Sequence, residues 1–163
     1  MPLQAQGEFA QVKSKLEPAL TLSGQPVKRG TMAHKHIVYM MLVDSAVIAR
    51  DIATILKFAP LLEKLAIEDD HQPYLAVCHR AFGVAHRLSE EYEQAEIRLQ
   101  KALGIFESMG AKWQCGRTLF EMGELAVQRG QNELATELFN NAMKKYEDLN
   151  AIPEIEKIRA ALR

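Results

Sequence analysis

The sequence predicts an all-α fold in which about eight helices stack in pairs as a solenoid. Residues 76–115 align with residues 116–155 at a period of forty, and the matched positions are mostly small residues, which indicates repeated helix pairs with closely spaced backbones. Apolar residues recur every three or four positions, and no period-two alternation predicts a strand. The residue pairs identical in the two copies are Gly83/Gly123, Glu93/Glu133, Ala95/Ala135, Ala102/Ala142, Glu107/Glu147 and Ala111/Ala151.

The first helix is predicted at residues 8–22, ahead of the longest loop, at 23–30. Phe9, Val12 and Leu16 lie on one face of this helix, and the glycine and proline residues of the loop end it. In the predicted solenoid this is the second helix of a pair whose first helix is missing. Its apolar stripe therefore requires a cover, either from a preceding segment or from a second copy of the chain as a homodimer.

Capping residues predict the starts of the next three helices. Thr31 can cap a helix that runs to about residue 49, and Asp51 can cap one that runs to about residue 67. Asp69 or Asp70 can cap the fourth helix, which has Pro73 in its first turn and runs to about residue 88.

Glycines predict the ends of the fifth and sixth helices. The fifth covers residues 91–109 before Gly110, and the sixth covers residues 112–129 before Gly130. Residues 132–149 form the seventh helix. Pro153 opens a short eighth helix with apolar residues along one side, namely Ile155, Ile158 and Leu162.

Two units carry a resemblance to the tetratricopeptide repeat family, whose helix-turn-helix units place small and larger apolar residues at fixed positions. The resemblance implies a right-handed solenoid. A period of forty exceeds the family's usual length, and such long units resemble the repeats attached to bacterial signalling ATPases and transcription activators. The signature positions hold His79, Phe82, Gly83, His86, Ala95, Leu99 and Ala102, then Leu119, Met122, Gly123, Ala126, Ala135, Phe139 and Ala142.

The chain is predicted to be a single domain, 1–163, with a weaker unit ahead of the two clear ones. In that weaker unit Leu42 and Phe58 are aligned with Gly83 and Leu99, and Leu61 and Leu65 are likewise placed at later signature positions; these bulky residues predict wider helix spacing. The segments are an unpaired N-terminal helix and loop (8–30), a degenerate unit (31–70), two clear units (71–110 and 111–150) and a C-terminal capping helix (151–163).

The family's concave wall provides the candidate partner-binding residues. Arginines beside aromatic residues suit an acidic, partly apolar peptide, because a guanidinium pairs with carboxylates while an aromatic ring fills an apolar pocket. Alternatively, the arginines are solvated or paired with Glu121 and Glu124 of the neighbouring helix. The candidate residues are Tyr39, Val77, Arg80, Val84, Arg87, Arg117, Phe120 and Glu124.

The resemblance implies a scaffold that binds a protein or peptide partner in a bacterial signalling or regulatory assembly. The alternative is a small-molecule sensor domain of a transcription regulator. A peptide site predicts an open, continuous groove through Arg80, Arg117 and Phe120, whereas a sensor predicts a closed, largely apolar pocket.

Composition and motifs favour no other class of function. A net charge of −1 provides no general attraction for nucleic acid, and the longest apolar run, 37–49, is too short for a membrane span. No arrangement of nucleophile and base indicates an enzyme, no cofactor is expected, and a cytoplasmic location is expected because no secretory signal is evident.

His79 and His86 lie seven residues apart, a poor spacing for a metal site. Trp113 is expected to pack between successive repeats.

Overall fold

The computed structural model describes residues 9–21 and 32–162, and within these ranges every regular element is a helix. Neighbouring helices pack consecutively in a repeat-like arrangement, which confirms the predicted fold class. The even-numbered helices also contact one another, α2 with α4 and α4 with α6, and so form one continuous layer. The helices are α1 (Phe9–Thr21), α2 (Met32–Ala49), α3 (Ile52–Glu68), α4 (Gln72–Leu88), α5 (Tyr92–Ser108), α6 (Lys112–Gln128), α7 (Asn132–Glu147) and α8 (Ile152–Ala161).

One turn geometry recurs every twenty residues and connects all helices from α2 onward. At each turn a residue adopts a positive φ, and the next residue donates its N–H to the carbonyl five positions earlier, which is the Schellman motif. Glycine meets this requirement at Gly110 and Gly130, the two helix ends predicted from the sequence. The other four turns place side-chain-bearing residues in the same conformation: Arg50, Asp70, Glu90 and Asn150.

The helix starts agree with the sequence in one case and correct it in another. Asp51 caps α3 as predicted, because its side chain accepts a hydrogen bond from the Thr54 N–H at 3.0 Å. The predicted cap of α4, Asp69 or Asp70, is wrong, since these residues form the turn that ends α3. His71 caps α4 instead, accepting from the Tyr74 N–H. Thr31, the predicted cap of α2, lies outside the described residues.

Gly83 and Gly123 lie where the two helices of a unit approach most closely. A Cβ atom at Gly83 would lie 2.6 Å from Cγ of Leu99, and one at Gly123 would lie 2.5 Å from Cε1 of Phe139. Each glycine therefore makes room for a large apolar side chain of the partner helix. This close contact is what the repeated small residues predict.

The weaker unit keeps the same period of forty, which corrects the predicted alignment by one residue. The helix starts place Val43 at the position of Gly83 and Ala59 at that of Leu99. Both residues are fully buried. In the weaker unit the larger side chain, Val43, is on the first helix and the smaller one, Ala59, is on the second, the reverse of Gly83 and Leu99. The wider helix spacing predicted from Leu42 and Phe58 therefore does not follow.

The apolar face of α1 is covered within the chain. Val12 is only 3% exposed, and Leu16 packs against the core, because α1 lies on α2. An ion pair of 3.3 Å joins Lys13 to Asp51, and a second joins Glu17 to Lys57. The prediction that this face needs an external cover is therefore wrong, since α2 and the start of α3 supply it.

Replacing Gly110 should destabilise the fold through its backbone alone. Nothing lies within 4 Å of a Cβ at Gly110 or at Gly104, but only Gly110 has a positive φ. Gly110→Ala should lower the free energy of unfolding by about 1 kcal/mol, because the left-handed conformation disfavours a Cβ. Gly104→Ala, in mid-helix, should raise it by up to about 1 kcal/mol. Urea denaturation measures both, and equal shifts would contradict the turn geometry.

Gly83→Ala should lower the free energy of unfolding by about 1 to 3 kcal/mol, because the new methyl group overlaps Leu99. The double variant Gly83→Val/Leu99→Ala reproduces the pairing of Val43 with Ala59. It should lose less stability than the sum of Gly83→Val and Leu99→Ala measured separately. Strict additivity in urea denaturation would show that the two positions do not contact each other.

Candidate functional site

Two carboxylates join α2 to α6 across the intervening helix α4. Asp44, on α2, accepts from Arg80 of α4 at 2.9 Å and from Arg117 of α6 at 2.7 Å. The second Nη of Arg80 donates to Gln114 Oε1 at 2.6 Å. One buried aspartate therefore holds guanidinium groups from two other helices.

Glu121 repeats this arrangement in the opposite direction. Its Oε2, on α6, accepts from Arg50 at the end of α2 at 2.6 Å and from Arg87 of α4 at 3.0 Å. The four arginines and two carboxylates form two adjacent triads, which together we call the arginine clamp. It consists of Asp44, Arg50, Arg80, Arg87, Arg117 and Glu121.

The arginine clamp closes the groove that the sequence predicts over α4. Arg80 is 0% exposed, and the other three candidate residues of α4 (Val77, Val84 and Arg87) are also buried. These four residues were predicted as partner-binding, but they are inaccessible, and ion pairs from α2 and α6 join over α4 through Asp44 and Glu121. An open, continuous groove through Arg80 is therefore absent from the described part of the chain.

The remaining four candidate residues have different environments. Arg117 and Phe120 line a cavity beside the clamp. Tyr39 is half-buried and packs against Phe58 at a ring-centroid distance of 6.0 Å, which gives it a place in the core. Glu124 is half-buried on α6 and does not line this cavity. The alternative reading of the arginines is correct for Arg87, which pairs with Glu121.

Burial and charge oppose each other in the clamp. Burial acts to raise the pKa of Asp44, but Arg117 and Arg80 outweigh it and hold this pKa below its ordinary value. Burial and, after it, the neighbouring charge of Arg117 lower the pKa of Arg80 to about 10 against the opposing effect of Asp44. Arg80 therefore remains charged at neutral pH in a site with more positive than negative charge.

The cavity has a volume of about 490 Å³ and lies between the C-terminal part of α2, α6 and α8. One half of its wall is aromatic or aliphatic, and the other half is charged. Lys157 of α8 lies over the Phe120 ring, with Nζ 4.3 Å from the ring centroid. The lining residues are Phe9, Asp44, Ile48, Arg50, Trp113, Arg117, Phe120, Glu121, Tyr146, Pro153, Glu154 and Lys157.

Trp113 lines this cavity, although the sequence analysis placed it between repeats. Its ring packs edge-on against Tyr146 at 5.4 Å, while 42% of its surface stays exposed. Tyr146 occupies the space that a side chain at position 116 would need, because a Cβ at Gly116 would lie 2.9 Å from its ring. The contact with Tyr146 lies between α6 and α7 of the same unit, not between successive repeats, and the exposed part of Trp113 lines the cavity.

Asp44, Arg50 and Lys157 were not predicted as candidate site residues from the sequence. One signal was available for Asp44, because it is a charged residue inside the longest apolar run of the chain. A buried helix carries such a charge only when a partner of opposite sign reaches it. The partners of Asp44 are 36 and 73 residues away, so their identity could not be read from local spacing.

The histidines considered for metal binding have other contacts. His79 lies 2.9 Å from Arg98, which also donates to Glu63, and His86 pairs with Glu91. No group of three or more candidate ligands that could hold a metal ion occurs among the described residues. Cys78 and Cys115 are both buried and unpaired, and burial raises the pKa of each thiol.

Comparisons of the chain with protein-family models, curated proteins and solved structures find no match. The likeness to tetratricopeptide repeats therefore remains a resemblance carried by individual residues. None of the helices described here has both the length and the apolar character needed to cross a membrane.

Asp44→Asn should destabilise the protein strongly, because it leaves Arg80 and Arg117 without their shared counter-charge. We expect the free energy of unfolding at pH 7 to fall by about 3 kcal/mol, as for other broken buried ion pairs. Asp148→Asn is the matched control, since Asp148 pairs with Lys112 at an exposed position. Similar urea midpoints for the two variants would contradict the role assigned to the clamp.

The contribution of Asp44 should also depend on pH. Its folded-state pKa is below the ordinary value of 3.8, so its contribution to stability is complete above that pH and is lost as pH falls through the lower, folded-state value. The stability difference between the native chain and Asp44→Asn should therefore be constant from pH 5 to 7 and decrease in strong acid. A difference that grows on acidification would contradict the assigned pKa direction.

Proposed function

We propose that the chain is a protein-interaction module that binds a short segment of a partner protein in the cavity beside the arginine clamp. The observation that carries the proposal is the exposed apolar wall of this cavity. Trp113 is 42% exposed and Ile48 is 37% exposed, and both lie in a concave site rather than on a convex surface. Exposed aromatic and aliphatic side chains grouped in a concavity are typical of docking sites.

In this proposal the partner binds in the cavity and not in the groove that was predicted through Arg80, Arg117 and Phe120. Of the predicted residues the cavity keeps Arg117 and Phe120, and it adds Ile48, Trp113 and Lys157. An apolar side chain of the partner would enter between the aromatic rings, while polar parts of the segment would remain near the charged wall. The resemblance to repeats of signalling ATPases and transcription activators supports a bacterial signalling or regulatory assembly as the setting.

A small-molecule sensor is the second candidate function. A volume of about 490 Å³ lies within the range of small-molecule sites, and this favours it. However, six of the twelve lining residues are charged, which departs from the largely apolar pocket expected of a sensor. Native mass spectrometry of the protein purified from its source would test this candidate, because a retained ligand adds a discrete mass that denaturation removes.

Ile48→Glu should abolish partner capture, because it places a charge in the apolar wall of the cavity. Ile97→Glu is the matched control, since Ile97 is 46% exposed on α5, away from the cavity. Affinity capture from source lysate should recover a partner with the native chain and with Ile97→Glu, and lose it with Ile48→Glu. Circular dichroism and urea midpoints must show that both variants are folded.

Capture of the same proteins at equal yield by all three baits would refute the cavity as the binding site. Loss of capture by Ile97→Glu alone would instead place the interaction on α5, the helix that carries Ile97.

A further inference from the structure

The cavity and the clamp behind it contain more positive than negative groups. The cations that line the cavity, or form an ion pair with a lining residue, are Arg50, Arg80, Arg87, Arg117 and Lys157. The carboxylates in the same set are Asp44, Glu121 and Glu154. Two positive charges are thus uncompensated within this set. Because Arg80 and Arg87 are buried, this surplus favours a further anion at the cavity.

Three cations have donor groups available at the cavity. Lys157 forms no ion pair with a described residue and contacts only the face of the Phe120 ring through its charge. Arg50 and Arg117 each use one Nη atom in the clamp, at 2.6 Å to Glu121 and 2.7 Å to Asp44. Their other guanidinium donors make no hydrogen bond to a described residue.

The clamp also shows which kind of anion these arginines bind. Asp44 receives one donor from each of two guanidinium groups, and Glu121 does the same. The Nε atoms of Arg80 and Arg87 are buried and have no hydrogen-bond partner among the described residues. Carboxylates accept four of the five hydrogen bonds that the clamp arginines donate to described residues, and Gln114 accepts the fifth.

We propose that the cavity recognises an acidic segment of a partner protein in which a carboxylate stands beside an apolar side chain. The carboxylate binds Lys157 together with Arg50 or Arg117, and the apolar side chain packs against Trp113 and Ile48. This inference rests on the proposed function and specifies the chemistry of the ligand at the same site.

An extended segment fits the cavity better than a small acid because the apolar wall continues to the surface. Trp113, Pro153 and Lys157 are all exposed residues at the cavity. Neighbouring residues of a bound chain can pass over them while one apolar side chain enters. The charge surplus of two favours a segment with more than one acidic residue.

Trp113 provides the signal for a direct test, since it is the single tryptophan of the chain and lines the cavity. Its fluorescence would be titrated with three capped peptides in which leucine alternates with aspartate, asparagine or lysine. A fourth titration uses phenylacetate as a small apolar carboxylate. We expect the aspartate peptide to bind about tenfold or more tightly than the asparagine peptide, with the difference shrinking at high salt.

Lys157→Gln should weaken binding of the aspartate peptide about tenfold while leaving binding of the asparagine peptide unchanged. Lys157→Arg retains the charge and should restore most of the affinity. Lys101→Gln, on the exposed side of α5, is the matched control and should bind like the native chain. These lysines are outside the arginine clamp, so the variants should keep the native urea midpoint.

The outcomes separate the inference from the proposed function. Equal binding of the aspartate and asparagine peptides overturns the carboxylate assignment but leaves the cavity as an apolar docking site. Tighter binding of the lysine peptide overturns the inferred charge. Binding of phenylacetate without any peptide overturns the partner segment and supports the small-molecule sensor. If neither a peptide nor phenylacetate changes the fluorescence, while lysate capture still depends on Ile48, the carboxylate inference is refuted and the docking site stands.

Discussion

Asp44 accepts hydrogen bonds from both Arg80 and Arg117, and the layer formed by α2, α4 and α6 depends on this shared interaction. α4 lies between α2 and α6 and contacts both helices. Asp44 joins α2 to side chains of α4 and α6, and Glu121 repeats the connection through Arg50 and Arg87. Ion pairs between non-neighbouring units restrict the curvature of the layer formed by the even-numbered helices, because each pair requires its donor and acceptor to stay within hydrogen-bonding distance.

Close packing within each unit makes this arrangement possible. Gly83 and Gly123 let Leu99 and Phe139 approach the backbone of the partner helix, so the helices of a pair lie close together. The turns at intervals of twenty residues make successive helices start in the same phase, and α3 to α6 have 17 residues each. Regular spacing of this kind brings side chains 73 residues apart, such as Asp44 and Arg117, to the same place.

The consequence for the proposed function is that the candidate binding site is the cavity beside the clamp and not a groove over α4. In an open solenoid the residues of α4 would be the centre of a peptide site. Here Arg80 and Arg87 of α4 are buried and form ion pairs within the clamp. The accessible surface lies further along, where α6 and α8 contribute the exposed residues Trp113 and Lys157. The clamp still influences this surface, because Arg50 and Arg117 line the cavity and the clamp contains more positive than negative charge.

The sequence by itself determined the helices, their pairing and the period of forty, because these follow from apolar spacing, glycine positions and capping groups that act over a few residues. It also marked Arg117 and Phe120 as site residues. The tertiary structure alone decided which arginines are buried and that Trp113 lines a cavity. It also decided that the larger side chain of the pair is on the first helix at Val43 and Ala59 but on the second helix at Gly83 and Leu99. These properties depend on contacts between helices from different units, and no local pattern specifies how far a stack of helices curves before its charged side chains meet.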